Sequence, residues 1–262
     1  MSQNNARFGI NAFVLKSIAI VTMLTDHVGA GLYPSQLWMR AVGRLAFPIF
    51  AFLLCEGYFH TRSVKRYAIR LGVFALISEI PFDLLHGGKL FDAGYQNIFF
   101  TLLISLLTMY FMDRYGRGVT NVSRTGITNV SRVGTTNVSR FGPIDANRAG
   151  SDLIRKTLII LSGMFLAEFI HADYGAFGVA VIMIYFMLRD RRTLALACVI
   201  AANLLYGLLS ALLGDLPIQA FAGFAAIPIF FYNGEKGHSL KYAFYVFYPL
   251  HIAAITAVKY FL

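Results

Sequence analysis

Charged residues and cysteines are scarce in this chain. Only 14% of its 262 residues are charged and 57% are hydrophobic, whereas a soluble domain has about 25% charged residues. The two cysteines, Cys55 and Cys198, both lie in apolar runs, so we expect small packing residues rather than a disulfide. The polar start of the chain leads into an apolar run too long for a cleavable signal, so we expect that run to remain as a span. These scarcities exclude an ordinary soluble domain and a disulfide-rich secreted one.

Long apolar runs are what the sequence has instead, with a mean hydropathy of +0.62. A helix that crosses a bilayer needs about 20 apolar residues. The runs and their breaks predict an all-α polytopic membrane protein with about nine transmembrane helices, eight or ten being the alternatives. The predicted spans are 12–32, 43–60, 66–86, 95–113, 154–171, 174–188, 193–212, 215–232 and 242–261.

Basic residues predict how these spans are oriented. With the N-terminus in the cytoplasm, most of the 23 Lys and Arg residues fall on the inner side. The outer side then holds Arg40, Arg44, Lys89 and Lys259. Such an asymmetry is typical of bacterial inner-membrane proteins, and it predicts an odd number of spans. The net charge of +10 therefore reports topology, and we expect membrane lipid rather than nucleic acid as its partner.

A short repeat interrupts the chain between the fourth and fifth spans. The unit TNVSR starts at Thr120, Thr128 and Thr136. Eight residues with one Val cannot bury a core, so we predict a single membrane domain, 1–262, with a flexible cytoplasmic loop at 113–152. A basic tether to anionic lipid is the alternative for this loop. The Asn-Val-Ser glycosylation pattern inside each unit has no meaning on the cytoplasmic side.

Ionisable residues inside the spans are the main functional signal, because they are unfavourable there unless they face a bundle interior or a cavity. Lys16 and His27 are eleven residues apart in the first span, which places them on one helix face about 16 Å apart. The antiparallel hairpin of spans one and two predicts two structural ion pairs, Lys16–Glu56 and Asp26–Arg44. A catalytic role for His27 as a general base is the alternative to a purely structural one.

Further polar residues could support this site. Glu79 and Asp83 lie four apart on one face of the third span, where they could form an acidic wall or pair with a cation such as Arg44. His251 lies at a depth similar to that of His27, either as a second functional histidine or in a kinked packing motif. The six histidines have no ligand-like spacing, so we expect no metal site.

Several collinear motifs resemble the TraX family, whose namesake is associated with conjugative plasmids and N-terminal acetylation of pilin. They run from Leu15 to His251 and include LKSIAIVTMLTDHVG, GRLAFPIFAFLLCEGYFHTRS, QNIFFTLL, DYGAFGV, YNGEKG and FYVFYPLH. The family looks related to multi-span membrane acyltransferases, which carry a basic residue, ten intervening residues and a histidine in an early span. By this resemblance His27 is the catalytic histidine and Lys16 its companion on the donor side.

The resemblance implies an acetyltransferase with acetyl-CoA as donor and an amine or hydroxyl acceptor. The acceptor could be a peptide such as pilin, a glycan or a lipid. We expect the polyanionic donor to bind a basic cytoplasmic mouth made of Arg62, Lys65, Arg66 and Arg70. His27 would take the acceptor's proton while Asp26 orients its ring, or Glu79, Asp83 or Glu168 if Asp26 cannot reach it.

Two other classes of function remain open at the level of the sequence. A proton-coupled transporter also uses intramembrane Asp, Glu and His, although we see no clear inverted repeat between the halves of the chain. A non-enzymatic partner in conjugation or envelope assembly is the third possibility. Binding of acetyl-CoA and a requirement for His27 would distinguish the enzyme from both.

Overall fold

A computed structural model describes residues 9–115, 146–238 and 241–261 of the chain. In these residues the fold is all-helical, as predicted, and its only bridges are two isolated ones, Ile10–Tyr232 and Gln96–Ala172. The helices are α1 Ala12–Gly31, α2 Leu37–Gly43, α3 Ala46–His60, α4 Val64–Gly87, α5 Ile98–Tyr115, α6 Ala146–Phe169, α7 Gly175–Met187, α8 Arg192–Leu212, a 3₁₀ helix Ile218–Ala225, α9 Ala226–Phe230 and α10 Lys241–Phe261.

Five helical segments in the described part of the chain are long and apolar enough to cross a membrane. They are Ala12–Gly31, Leu37–His60, Ile98–Tyr115, Arg192–Leu212 and Tyr242–Phe261. Two apolar helical segments, Gly175–Met187 and Ile218–Phe230, are shorter, and α4 and α6 carry more charge. Each of the nine predicted spans overlaps a helix. The chain is therefore a membrane protein by its helices, and the predicted orientation remains a prediction.

Two predicted spans differ from the helices in their ends and in their form. The second span continues back to Leu37, because α2 precedes α3 with only a short break at Arg44 and Leu45. The eighth span is a 3₁₀ helix followed by the short α9. Pro217 precedes the 3₁₀ helix and Pro228 lies inside α9, and each lacks the backbone N–H that a continuous α-helix would need.

Helices extend into both ends of the loop that was predicted at 113–152. Helix α5 continues to Tyr115, and α6 already begins at Ala146. Residues 116–145, which contain the three TNVSR units, lie outside the described residues.

Helix α3 forms the centre of the bundle. Ten of its 15 residues are buried, and it packs against α1, α5 and α7. Helix α10 packs on both α1 and α4, which brings the middle of α10 against the second half of α1. Cys55 is buried in this core and Cys198 is half-buried, and both are free thiols.

Candidate functional site

His27 and His251 meet where α1 packs against α10. Nδ1 of His27 lies 2.6 Å from Nε2 of His251. The ring planes are within 15° of each other and the ring centres are 4.9 Å apart. Because the two nitrogens are much closer than the ring centres, the rings meet edge to edge, as a hydrogen bond requires. The sequence placed these residues at similar depth, and the structure brings them into direct contact.

Aromatic rings enclose this histidine pair. Tyr248 packs with its ring edge-on to both histidines, at 5.8 Å from the centre of the His27 ring and 5.7 Å from that of His251. Phe247 stacks on His251 at 4.6 Å, and its carbonyl oxygen lies 2.7 Å from Nδ1 of His251. His251 is buried. The pair is therefore held in a fixed arrangement, with an apolar surface around two polar rings.

Asp26, next to His27 in the sequence, belongs to a separate ionic cluster. One of its carboxylate oxygens lies 2.9 Å from a guanidinium nitrogen of Arg40. The other lies 3.8 Å from Arg44, which is the contact predicted from the hairpin. Arg40 also donates a hydrogen bond to the backbone oxygen of Asp26, at 3.2 Å. The carboxylate packs against Gly43, where any side chain would collide with it.

The expectation that Asp26 orients the His27 ring does not match these contacts. Successive residues on a helix point about 100° apart, so Asp26 faces α2 and the start of α3 while His27 faces α10. The hydrogen-bond partner of the His27 ring is His251. The alternative carboxylates, Glu79, Asp83 and Glu168, have other partners.

Glu79 and Asp83 bind the backbone of the segment between α4 and α5. Glu79 accepts hydrogen bonds from the backbone N–H and the side-chain amide of Asn97, at 3.2 and 3.0 Å. Asp83 accepts one from the backbone N–H of Asp92, at 2.7 Å. Both carboxylates are buried. They form neither an acidic wall nor a pair with Arg44, and their contacts fix the connection that leads into α5.

Glu168 has a comparable role at the start of α7, where it accepts a hydrogen bond from the backbone N–H of Ala176, at 3.0 Å. Tyr174, just before α7, has a left-handed backbone with φ of 63°, which is unfavourable for a residue other than glycine and is often found at functional sites. Its ring stacks on Phe47 at 4.0 Å, and its hydroxyl accepts a hydrogen bond from Arg44, at 3.3 Å. This turn therefore joins the Asp26 cluster.

Lys16 and Glu56 lie toward the other end of the bundle, where α3 ends and α4 begins; we call this the basic end. The ammonium group of Lys16 lies 5.4 Å from the centre of the Phe244 ring on α10. Glu56 lies beside Tyr232, near the end of α3. It lines a polar cavity of about 300 Å³ together with Arg189, Asp190 and Arg192. Lys16 thus contacts α10, Glu56 lies beside Tyr232 and the cavity, and the Lys16–Glu56 pair stays a prediction.

The basic residues predicted to bind the donor also lie at the basic end. Arg62, Lys65 and Arg66 are exposed, just before and within the first turn of α4. Arg70 is half-buried, with its guanidinium 5.3 Å from the centre of the Tyr67 ring. The structure thus groups these cations on one surface. In the described part of the chain no group of three His, Cys, Asp or Glu residues could hold a metal ion.

Sequence reasoning missed three parts of this site: Arg40, Tyr174 and the carbonyl oxygen of Phe247. Arg40 lies four residues before Arg44, so the helical spacing could have placed both on one face. No sequence pattern indicates that Tyr174 has a left-handed backbone. None indicates that the Phe247 carbonyl oxygen accepts a hydrogen bond from His251.

Fold and site define a class of protein: an all-helical membrane protein with a histidine pair between α1 and α10 and a basic surface at one end of the bundle. The sequence model of the TraX protein family matches residues 12–259. The chain therefore belongs to the TraX family.

Two relatives accompany this family match. The chain is 30% identical, over 288 aligned positions that cover all of both proteins, to a probable fimbrial assembly protein, FimC of serogroup H1, from Dichelobacter nodosus. It is 39% identical over 64 residues to an uncharacterized protein of Rickettsia prowazekii (strain Madrid E), covering 24% of this chain and 25% of that protein. No solved structure matches the chain.

Proposed function

We propose that this protein is an integral membrane acetyltransferase that moves an acetyl group from acetyl-CoA to an amine or hydroxyl acceptor. The observation that carries the proposal is the direct contact of His27 with His251 inside a membrane-spanning bundle. Polar groups are retained at such depth only where they are paired or used. An imidazole held by a second imidazole is suited to general-base chemistry near neutral pH.

The reaction needs one proton acceptor and then one proton donor. As the acceptor's nitrogen or oxygen attacks the thioester carbonyl, His27 takes its proton, and a tetrahedral intermediate forms. When that intermediate breaks down, the carbon–sulfur bond breaks and the imidazolium returns the proton to the leaving coenzyme A sulfur. Acetylated acceptor and free coenzyme A result, with no net change in the enzyme.

Charge at the basic end supports acetyl-CoA as the donor substrate. The exposed Arg62, Lys65 and Arg66 offer three cations to the phosphate groups of coenzyme A. Helix α1 runs without a break from Lys16 to His27, a rise of about 16 Å. A long, thin pantetheine arm that starts at this surface and follows α1 would bring its thioester toward the histidine pair.

The comparisons favour a peptide acceptor over the alternatives. A relative named as a probable fimbrial assembly protein aligns with the whole chain. We therefore propose a role with pilin subunits in fimbriae or conjugation, in the bacterial inner membrane, with acetylation of a pilin-like N-terminus as the reaction. Envelope glycans and lipids are the other acceptors to be tested.

Calorimetry of the detergent-purified protein with acetyl-CoA tests the donor first. We expect saturable binding that weakens strongly in the Arg62→Glu/Arg66→Glu variant. Arg155→Glu/Lys156→Glu is the matched control, because it reverses two charges in the first half of α6, at the same end of the bundle. Transfer to synthetic pilin-like peptides then tests the reaction by release of the coenzyme A thiol.

A folded protein that does not bind millimolar acetyl-CoA would contradict the proposal. Proton-driven flux in liposomes without coenzyme A would then favour the transporter. Normal binding and transfer in the Arg62→Glu/Arg66→Glu variant would refute the basic mouth but not the enzyme.

A further inference from the structure

The hydrogen on His251 can be located from its contact with the backbone. Nδ1 of His251 lies 2.7 Å from the carbonyl oxygen of Phe247, one helical turn earlier. A carbonyl oxygen only accepts, so Nδ1 must carry the hydrogen. His60 and His86 make the same contact with the carbonyl oxygens of Glu56 and Phe82, at 2.8 and 3.0 Å. The arrangement is thus a recurrent local geometry of helical histidines in this fold.

That assignment determines the second hydrogen bond. A neutral imidazole carries a single N–H, so with its hydrogen on Nδ1, His251 presents a lone pair at Nε2. Nδ1 of His27 is 2.6 Å away. Two lone pairs would repel each other at this distance, so Nδ1 of His27 must donate. The chain of donors runs from His27 to His251 to the Phe247 carbonyl.

The remaining nitrogen of His27 is then fixed as well. With its hydrogen on Nδ1, neutral His27 has an unprotonated Nε2. Among the described residues, the ring of His27 is hydrogen-bonded only through Nδ1. A free histidine side chain favours the opposite tautomer, with the hydrogen on Nε2, so the pair must hold His27 in the less common form.

We propose that His251 is a positioning residue that holds His27 in the Nδ1–H tautomer and so leaves Nε2 as the base. Only the use of Nε2 as a base rests on the proposed function. When Nε2 takes a proton, His27 becomes an imidazolium whose Nδ1–H still faces the lone pair of His251. The second histidine thereby occupies the place that a carboxylate has in a Ser-His-Asp triad.

Nitrogen-15 NMR of histidine-labelled protein in bilayers tests the tautomer without any assay of activity. The His27 resonances are assigned by their loss in the His27→Ala variant. In the wild-type protein we expect a protonated Nδ1 and an unprotonated Nε2. A wild-type His27 with its hydrogen on Nε2 overturns the proposal, whatever the variants do.

Two substitutions of His251 separate positioning from packing. Gln places its terminal amide near the position of the imidazole Nε2, so His251→Gln can still accept from His27 and should keep the tautomer. Asn reaches only the position of Nδ1, so His251→Asn should lose the unprotonated Nε2 resonance. His60→Asn is the control, because it removes a histidine with the same local contact far from the pair. An unchanged tautomer in folded His251→Asn contradicts the proposal.

Transfer assays on the same variants relate this inference to the reaction. We expect His251→Asn to lower the rate by about 10²-fold, the low end of what a general base contributes, and His251→Gln to retain most of it. If the tautomer changes in His251→Asn while transfer is absent even from the wild type, the proposed function fails and the positioning role stands. If transfer is normal in His251→Asn, Nε2 of His27 is not the base.

Discussion

Removing the charge of Asp26 should destabilise the protein, because its carboxylate neutralises two arginines inside the bundle. Its oxygens lie 2.9 Å from Arg40 and 3.8 Å from Arg44, and the carboxylate side chain is 16% exposed. Asp26→Asn keeps the shape that fits against Gly43 and removes only the charge. Two guanidinium groups would then face each other without the carboxylate that contacts both of them. Breaking such a buried pair lowers the free energy of unfolding by about 3–5 kcal/mol.

The geometry also predicts how this free energy divides between the two arginines. Arg40 is closer to the carboxylate than Arg44 and donates a second bond to the Asp26 backbone. Arg44 is shared with the Tyr174 hydroxyl. In double-mutant cycles with Asp26→Asn, we expect a coupling free energy of about 1–3 kcal/mol for Arg40→Met and a smaller one for Arg44→Met.

Reversible unfolding in mixed micelles with increasing SDS measures these free energies. Lys89→Met is the control, because Lys89 forms an exposed pair with Asp92 at 3.7 Å, and such pairs contribute about 0–1 kcal/mol. A coupling below about 0.5 kcal/mol between Asp26 and Arg40 would refute the structural role. If Asp26→Asn lost transfer while keeping full stability, Asp26 would have a catalytic role, as the sequence suggested.

Three further outcomes follow from the structure and the repeat. His27→Ala should abolish acetyl transfer and leave expression and folding near normal, measured beside His60→Ala; an active and folded variant would remove His27 from the mechanism. Glu79→Ala should lower the free energy of unfolding by about 1–3 kcal/mol, because it leaves the buried amide groups of Asn97 without their acceptor; no change in an SDS titration would mean that water replaces the carboxylate. Deletion of 118–142 should leave transfer intact in a peptide assay, and an inactive but folded deletion would show that the repeat is more than a spacer.

Apolar run length predicted most of the helices because a membrane-spanning helix must satisfy its own backbone groups, so composition and length suffice to recognise it. Run length is a poor guide where other forces set the ends of a helix. Residues 37–43 are too short to be a span on their own, yet α2 forms there, packs against α1 and leads directly into α3. The 3₁₀ segment at Ile218–Ala225 depends on prolines and on packing against α8. Hydropathy is insensitive to both effects.

Contacts between side chains on different helices were predictable only where the chain connects those helices directly. The hairpin formed by the first two spans sets the depth of each residue, and this gave the contact of Asp26 with Arg44. It did not predict the contact with Arg40, because that residue lies between the predicted spans 12–32 and 43–60. The partner of His27 is 224 residues away, on a helix whose place beside α1 follows only from the tertiary fold.

Adjacent placement of Asp26 and His27 in the sequence suggested one joint function, and the structure separates them. Helix α1 lies between α2 and α3 on one side and α10 on the other. Neighbouring residues on it point about 100° apart, so Asp26 meets the arginines while His27 meets His251. An acid and an imidazole side by side can thus serve two purposes: Asp26 joins α1 to the following span, and His27 is free to form the pair with α10. A substitution at Asp26 should therefore act mainly on stability and one at His27 mainly on chemistry, although a single peptide bond links the two residues.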